Sequence, residues 1–265
     1  MSGVPSSPAE PAAPDRELRS GGARLEHHLA RPPSSSARDA ARTGLVLAHP
    51  FPRGSEAGKR AAQTFPELAD RVAADTGWAA LSVTFRGAGE SPGAFSPAGW
   101  LADLSAAVAY LRSEVSAVWL AGFGFGGTLA LRVAATDPEI GGVAVLAAPT
   151  DLGDWVDEPA LLADAAYEAG LLPGEGPAAD ITSWAAELRS LDPLGSARAV
   201  PPRPLLIAHG SADDEVPLVD ARALHDAAEG DGDLRVIPMA GHGLRHDPRA
   251  IALLLGWLER REAAR

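Results

Sequence analysis

The chain has 265 residues, of which 46% are hydrophobic and 22% charged, enough to bury one large core in a single α/β domain. Its formal charge of −12 argues against a nucleic-acid partner, because phosphate binding needs clustered Lys and Arg. It has no cysteine, which excludes disulfides, thiolate metal sites and a Cys nucleophile.

Residues 1–22 are rich in Pro, Ser, Ala and Glu and lack an apolar signal core, so a disordered tail is expected there. No uninterrupted apolar run reaches membrane-span length, and a cytoplasmic protein without a membrane partner is the expectation. Ala23 to Arg31 alternates Leu25, His27 and Leu29 with polar neighbours, as a half-buried edge strand does. Gly44 to Ala48 is a short apolar run that suits a buried parallel strand, and the loop His49-Pro50-Phe51-Pro52-Arg53-Gly54 follows. Thr64-Phe65-Pro66-Glu67 has the spacing of a capping box at the start of a helix that carries Leu68, Val72 and Ala73 on one face.

Trp78 to Phe85 is the next strand, and Arg86-Gly87-Ala88-Gly89-Glu90-Ser91-Pro92-Gly93 the loop after it. Trp100 to Arg112 is a helix, Ala117 to Phe123 a strand, and Gly142 to Ala148 another. Residues 149–200 change character, with Trp155, Tyr167, Trp184 and a breaker from Leu171 to Pro177. They read as a helical insertion, for which a lid and a packing subdomain both stay open. The core pattern resumes with a strand at Pro204 to Ala208, a helix at Leu218 to Ala228, a strand at Leu234 to Pro238 and a closing helix at Arg249 to Arg260. The alternation predicts a mostly parallel sheet with helices on both faces, built from residues 23–148 and 201–265. Ligands bind such sheets beyond the carboxyl ends of the strands.

One of those ends carries Gly122-Phe123-Gly124-Phe125-Gly126-Gly127, with the helix former Thr128 to Ala135 directly after it. The run fits two patterns. As G-x-G-x-x-G between strand and helix it matches a dinucleotide-binding turn. Against that, the next strand ends in Ala147-Ala148-Pro149, with no acid for a ribose, and two βα units precede this one. As G-x-S-x-G it matches a nucleophile elbow whose central serine is replaced by Gly124. Two further strand-end loops favour the second pattern. His209-Gly210-Ser211-Ala212-Asp213-Asp214-Glu215-Val216-Pro217 offers an acid, and Gly241-His242 a histidine, in the order nucleophile, acid, histidine.

With these motifs, the chain resembles the α/β-hydrolases, in particular the dienelactone-hydrolase and serine-aminopeptidase-like branches, over residues 43–260. The resemblance implies an α/β-hydrolase fold, Asp213 as the acid, His242 as the base, and the backbone N–H groups of Phe51 and Phe125 as oxyanion donors. Pro50 and Pro52 have no N–H, which singles out Phe51 in its loop. The departure is Gly124, at the position of the nucleophile. No cofactor or metal is implied, and oligomeric state is not legible.

Each residue also has a structural reading. Asp213 or Asp214 would serve to cap the helix near Pro217, Asp214 would also compete for the acid role, and His242 or His246 would serve as ordinary loop histidines. His49 and His209 at strand ends would bond locally. Arg86 with Glu90 and Asp103 reads as a loop-ordering ion set. Trp78, Trp100, Trp119 and Trp257 read as core. Trp155, Trp184 and Phe125 stand between core and pocket. Thr128, Ser91 and Ser211 are the hydroxyls nearest the elbow, and none replaces its serine. Two functions follow. In one, His242 activates water in the space left by the serine, for a small ester, lactone or similar carbonyl compound. In the other, a pseudohydrolase binds a small ligand or a protein partner.

Overall fold

The chain joins its core at Leu18, earlier than residue 23. Strands β1 (Arg19–Ser20) and β2 (Ala23–Arg24) form a small antiparallel ribbon. Gly21 and Gly22 turn it at φ values of 56° and 86°, where side chains are disfavoured. Leu18 and Leu25 flank it, both buried, and the Leu25 N–H donates to the Leu18 carbonyl. The tail expected through residue 22 is therefore shorter at its C-terminal side. The strand expected over 23–31 divides at Leu25-Glu26, and only β3 (His27–Ala30) joins the main sheet. The computed structural model describes residues 17–33, 42–173 and 180–262, so residues 1–16 of that tail lie outside it.

The apolar runs become the sheet. Strand β4 (Thr43–Ala48) is followed by a 3-10 turn at Ala57–Arg60, helix α1 (Phe65–Thr76), β5 (Ala79–Val83), α2 (Pro97–Arg112), β6 (Ala117–Phe123), α3 (Phe125–Thr136) and β7 (Ile140–Leu146). After the insertion come β8 (Leu205–Gly210), α8 (Leu218–Ala227), β9 (Asp233–Ile237) and α9 (Pro248–Glu262). The sheet order is β3-β5-β4-β6-β7-β8-β9, parallel throughout except for β3. Every residue of β4, β5 and β8 is buried, as strands covered on both faces must be.

Two apolar layers hold the sheet. One carries α1 and α9 and contains the packed rings of Trp78, Trp119 and Trp257. The other carries α2, α3 and α8, with Trp100 at its centre. Helix α2 starts three residues before the expected Trp100, because the Ser96 hydroxyl caps it by accepting the Gly99 N–H at 3.0 Å. The box expected at Thr64 does not form. Thr64 has helical angles after the preceding turns, its side chain caps nothing, and its carbonyl accepts a bond from Arg245 instead.

The insertion holds α4 (Gly153–Asp157), α5 (Pro159–Glu168), α6 (Trp184–Leu191) and α7 (Pro193–Ala199). Trp184, Leu188, Leu191 and Ala197 are buried in the second layer, so much of this stretch is packing. Of the expected breaker, Leu171 and Leu172 are buried and Gly174 to Pro177 lie outside the described residues. Among the described residues no helix is long and apolar enough to cross a membrane.

Candidate active site

Strand β6 ends at Phe123 and α3 starts at Phe125, so Gly124 makes the whole turn alone, at φ 52° and ψ −129°. The turn is held from both sides. The Gly124 N–H donates to the Leu146 carbonyl at 2.8 Å, and the Gly124 carbonyl accepts from the Gly127 N–H at 2.8 Å. The neighbouring glycines permit close crossing. A Cβ on Gly122 would lie 2.3 Å from the Gly126 oxygen, one on Gly126 2.3 Å from the His49 oxygen, and one on Gly127 2.9 Å from the Ala148 Cβ. The chain's own backbone thus accounts for the G-x-G-x-x-G spacing. A Cβ on Gly124 would meet the Pro50 Cβ at 3.0 Å and, at 3.4 Å, Nε2 of His242.

His242 lies on the loop after β9, and its Nδ1 is 3.0 Å from Oδ2 of Asp213. The Asp213 side chain is wholly buried, while that of His242 keeps 20% of its exposure. Asp213 caps no helix. Its Oδ1 accepts the N–H groups of Glu215 at 3.0 Å and Val216 at 2.9 Å, which folds the acid loop around the carboxylate. Asp214 and His246 are exposed and take no part. Because the carboxylate only accepts, Nδ1 carries the hydrogen, and Nε2 faces the elbow.

Phe51 follows β4 in a loop that His49 fixes. The His49 Nδ1–H donates to the Pro50 carbonyl at 2.8 Å, and its Nε2 accepts the Phe85 N–H at 3.1 Å. One partner only accepts and the other only donates, so the neutral tautomer is forced. The Pro50 carbonyl points at His49, and across a trans peptide the Phe51 N–H points away from it. Among the described residues no hydrogen bond uses the N–H of Phe51 or of Phe125. Both residues line one cavity of about 410 Å³ with His242.

Burial among Phe85, Trp100 and Phe65 pushes the His49 imidazole down from its ordinary 6.5 to about 4. Above pH 6.5 both folded and unfolded chains leave His49 neutral. Between 6.5 and 4 the unfolded chain takes up a proton that the folded one refuses, so stability falls with pH, and below 4 the effect is complete. The loss is about 3 kcal/mol. Urea unfolding from pH 7 to 4 is expected to show this slope in the native chain and a flatter one in His49→Gln. An equal slope in both would remove His49 as its source.

The cavity combines Phe51, Phe125 and Trp155 with Asp151, Asp154, Glu215 and Asp220. Trp155 comes from α4, its ring 5.5 Å from that of Phe51 and 5.8 Å from that of Phe125. The insertion therefore both packs and contributes a wall. At the rim Arg53 Nε lies 2.8 Å from Glu215 Oε2, joining the Phe51 loop to the Asp213 loop. Asp220, at the start of α8, is buried and accepts the Thr150 N–H at 2.8 Å. Trp155 thus falls on the pocket side of its two readings, whereas Arg53 and Asp220 had no signal in the sequence beyond residue type, since their loops meet only in the fold.

The other hydroxyls near the elbow are engaged elsewhere. The Thr128 hydroxyl donates to the Pro149 carbonyl at 2.8 Å, that of Ser91 to the Thr84 carbonyl at 2.6 Å, and that of Ser211 accepts the Met239 N–H at 2.8 Å. Arg86 and Asp103 form the expected ion pair, but Glu90 does not join them; its N–H donates to Glu26 instead. Trp184 is core, only 1% exposed. Among the described residues no group of three or more His, Cys, Asp or Glu is placed to hold a metal ion.

Solved structures share this arrangement of strands and helices. Est1E from Butyrivibrio proteoclasticus, with ferulic acid bound, matches 94% of this chain and 98% of its own at 19% identity, with a TM-score of 0.67. The esterase domain of a Rhodothermus marinus protein matches 92% of this chain and 95% of its own at 23% identity, with a TM-score of 0.65. A Xanthomonas campestris a/b serine hydrolase described as without lid matches 97% of this chain and 95% of its own at 22% identity, with a TM-score of 0.61. No protein-family model and no curated protein matches the chain. The chain has the α/β-hydrolase fold.

Proposed function

We propose that the chain hydrolyses a small ester, lactone or similar carbonyl compound by directing His242 at water, where a hydrolase of this fold would use serine. The supporting observation is the line from Asp213 through His242 to the place where a Gly124 side chain would stand. Asp213 holds the Nδ1–H tautomer, and Nε2 takes a proton from a water beside Gly124. The water oxygen bonds to the carbonyl carbon, and the N–H groups of Phe51 and Phe125 donate to the resulting oxyanion. Collapse breaks the C–O bond to the alcohol, which recovers the proton from His242. Catalysis without the serine has a physical basis, because an oxyanion hole contributes independently of the triad.

The lining supports an uncharged substrate. Four carboxylates against one guanidinium oppose an anion, and the three aromatic rings favour an apolar body. Ferulic acid bound to Est1E makes a ferulate ester a reasonable trial compound beside an activated acetate ester. The reading takes the chain as cytoplasmic. Turnover is expected to fall by about 10²–10⁴-fold in His242→Ala. Equal turnover in the two proteins would overturn the proposal.

A second reading rests on position 124 itself, which carries no hydroxyl and no other nucleophile within the turn. Under it the protein is a pseudohydrolase whose cavity binds a small ligand or a partner. It predicts no turnover in either protein and retained ligand binding after His242→Ala.

A further inference from the structure

We infer that His209 is a positioning residue that fixes where the Asp213 carboxylate points. His209 is next to last in β8, and its side chain is 1% exposed. Its Nε2 lies 2.9 Å from the Val216 carbonyl oxygen and 3.3 Å from Oδ2 of Asp213. Both neighbours only accept, so Nε2 carries the hydrogen; it donates to the Val216 carbonyl, and Oδ2 lies beside the same N–H dipole. Val216 in turn donates its N–H to Oδ1 of Asp213. The four groups close a ring: His209 to the Val216 carbonyl, the Val216 N–H to Oδ1, and Oδ2 back to His209.

The ring does what the two N–H bonds on Oδ1 cannot do alone. Those bonds anchor one oxygen and leave the other free to swing about it. Oδ2 is the oxygen that meets Nδ1 of His242. The His209 N–H dipole at the rigid end of β8 lies 3.3 Å from it and ties the Val216 backbone that holds Oδ1, which sets its direction. His209 is not among the residues that line the cavity, and its polar contacts reach the Asp213 loop and not His242, so it acts through Asp213. An acid on a strand-end loop thus keeps its aim because a buried histidine on the strand itself ties the loop at two points.

This inference rests on the reading of Asp213 and His242 as the working pair, and its test needs no turnover. The readout is the downfield NMR resonance of the His242 Nδ1 proton, assigned by its loss in His242→Gln. The resonance is expected to be sharp in the native chain and broadened away by solvent exchange in His209→Phe and His209→Asn. In His209→Gln, whose amide reaches the position of Nε2, it is expected to return. Folding of each variant is checked by circular dichroism. The inference is overturned if the resonance persists in folded His209→Asn or His209→Phe, or if it is lost in folded His209→Gln. A native chain that turns over no ester, yet whose resonance follows residue 209 in this way, would sink the hydrolytic reading and uphold this one.

Discussion

Gly124→Ser is expected to gain esterase activity and to lose stability in the same substitution. The new Cβ would stand 3.4 Å from Nε2 of His242, which places a hydroxyl one bond further within hydrogen-bond reach. His242, held by Asp213, already faces that point, and Phe51 and Phe125 line the same cavity. In a well-ordered triad the serine is worth up to about 10⁶ in kcat, so a site with small misalignments should still gain about 10²-fold or more on an activated ester. Two costs accompany the gain. Serine would have to adopt φ 52° and ψ −129°, a strain of about 1–3 kcal/mol. Its Cβ would also press on the Pro50 Cβ at 3.0 Å, so the oxyanion loop must yield by a few tenths of an ångström. The signature is a faster rate and a lower melting temperature, with the gain removed when His242→Ala is added. A folded Gly124→Ser protein with an unchanged rate would mean that the surroundings of the turn no longer support acyl transfer.

The parts of this site differ in how far the sequence reveals them. Gly124, Asp213, His242, Phe51 and Phe125 each follow a strand, and strands of a parallel sheet announce themselves as short apolar runs. Their loops converge at one end, so motif order alone predicted a meeting that the fold displays. What the sequence did not reveal depends on side chains far apart along the chain. The tautomer of His49 depends on Phe85, 36 positions away. Trp155 reaches the cavity because α6 and α7 anchor the insertion from behind, and no period in residues 149–200 encodes that. Local rules also misled. Thr64 and Glu67 have the spacing of a capping box, but the preceding turns set the Thr64 backbone to helical angles and the box stays open. Asp213 looked able to cap α8, whereas its N–H partners lie in its own loop.

Asp103→Ala is expected to destabilise the protein by about 3–5 kcal/mol, the range for removing one partner of a buried ion pair. The Asp103 side chain is wholly buried on α2 and that of Arg86 keeps 24% of its exposure. Three contacts of 2.6 to 3.1 Å join the guanidinium to the two carboxylate oxygens, and Oδ2 also accepts the Arg86 backbone N–H at 2.9 Å. The hydrogen bond to Asp103 raises the Arg86 guanidinium above its ordinary range, and an arginine stays charged even when that partner is gone. Loss of the carboxylate strands both that cation and a backbone N–H. The damage also spreads, because the same guanidinium donates to the Ser20 hydroxyl of the N-terminal ribbon and the Arg86 carbonyl accepts the Trp100 indole N–H. Trp100 packs 5.9 Å from the ring of Phe51 and 6.4 Å from that of Phe125. A double variant, Arg86→Met with Asp103→Leu, removes both charges together and should be more stable than Asp103→Ala. It should remain below the native chain by about 1–3 kcal/mol, because the Arg86 N–H still lacks an acceptor. Urea unfolding at constant slope measures both steps. If Asp103→Ala costs less than about 0.5 kcal/mol, the pair is a surface-grade contact and the loop at residues 86–93 is held by its other bonds.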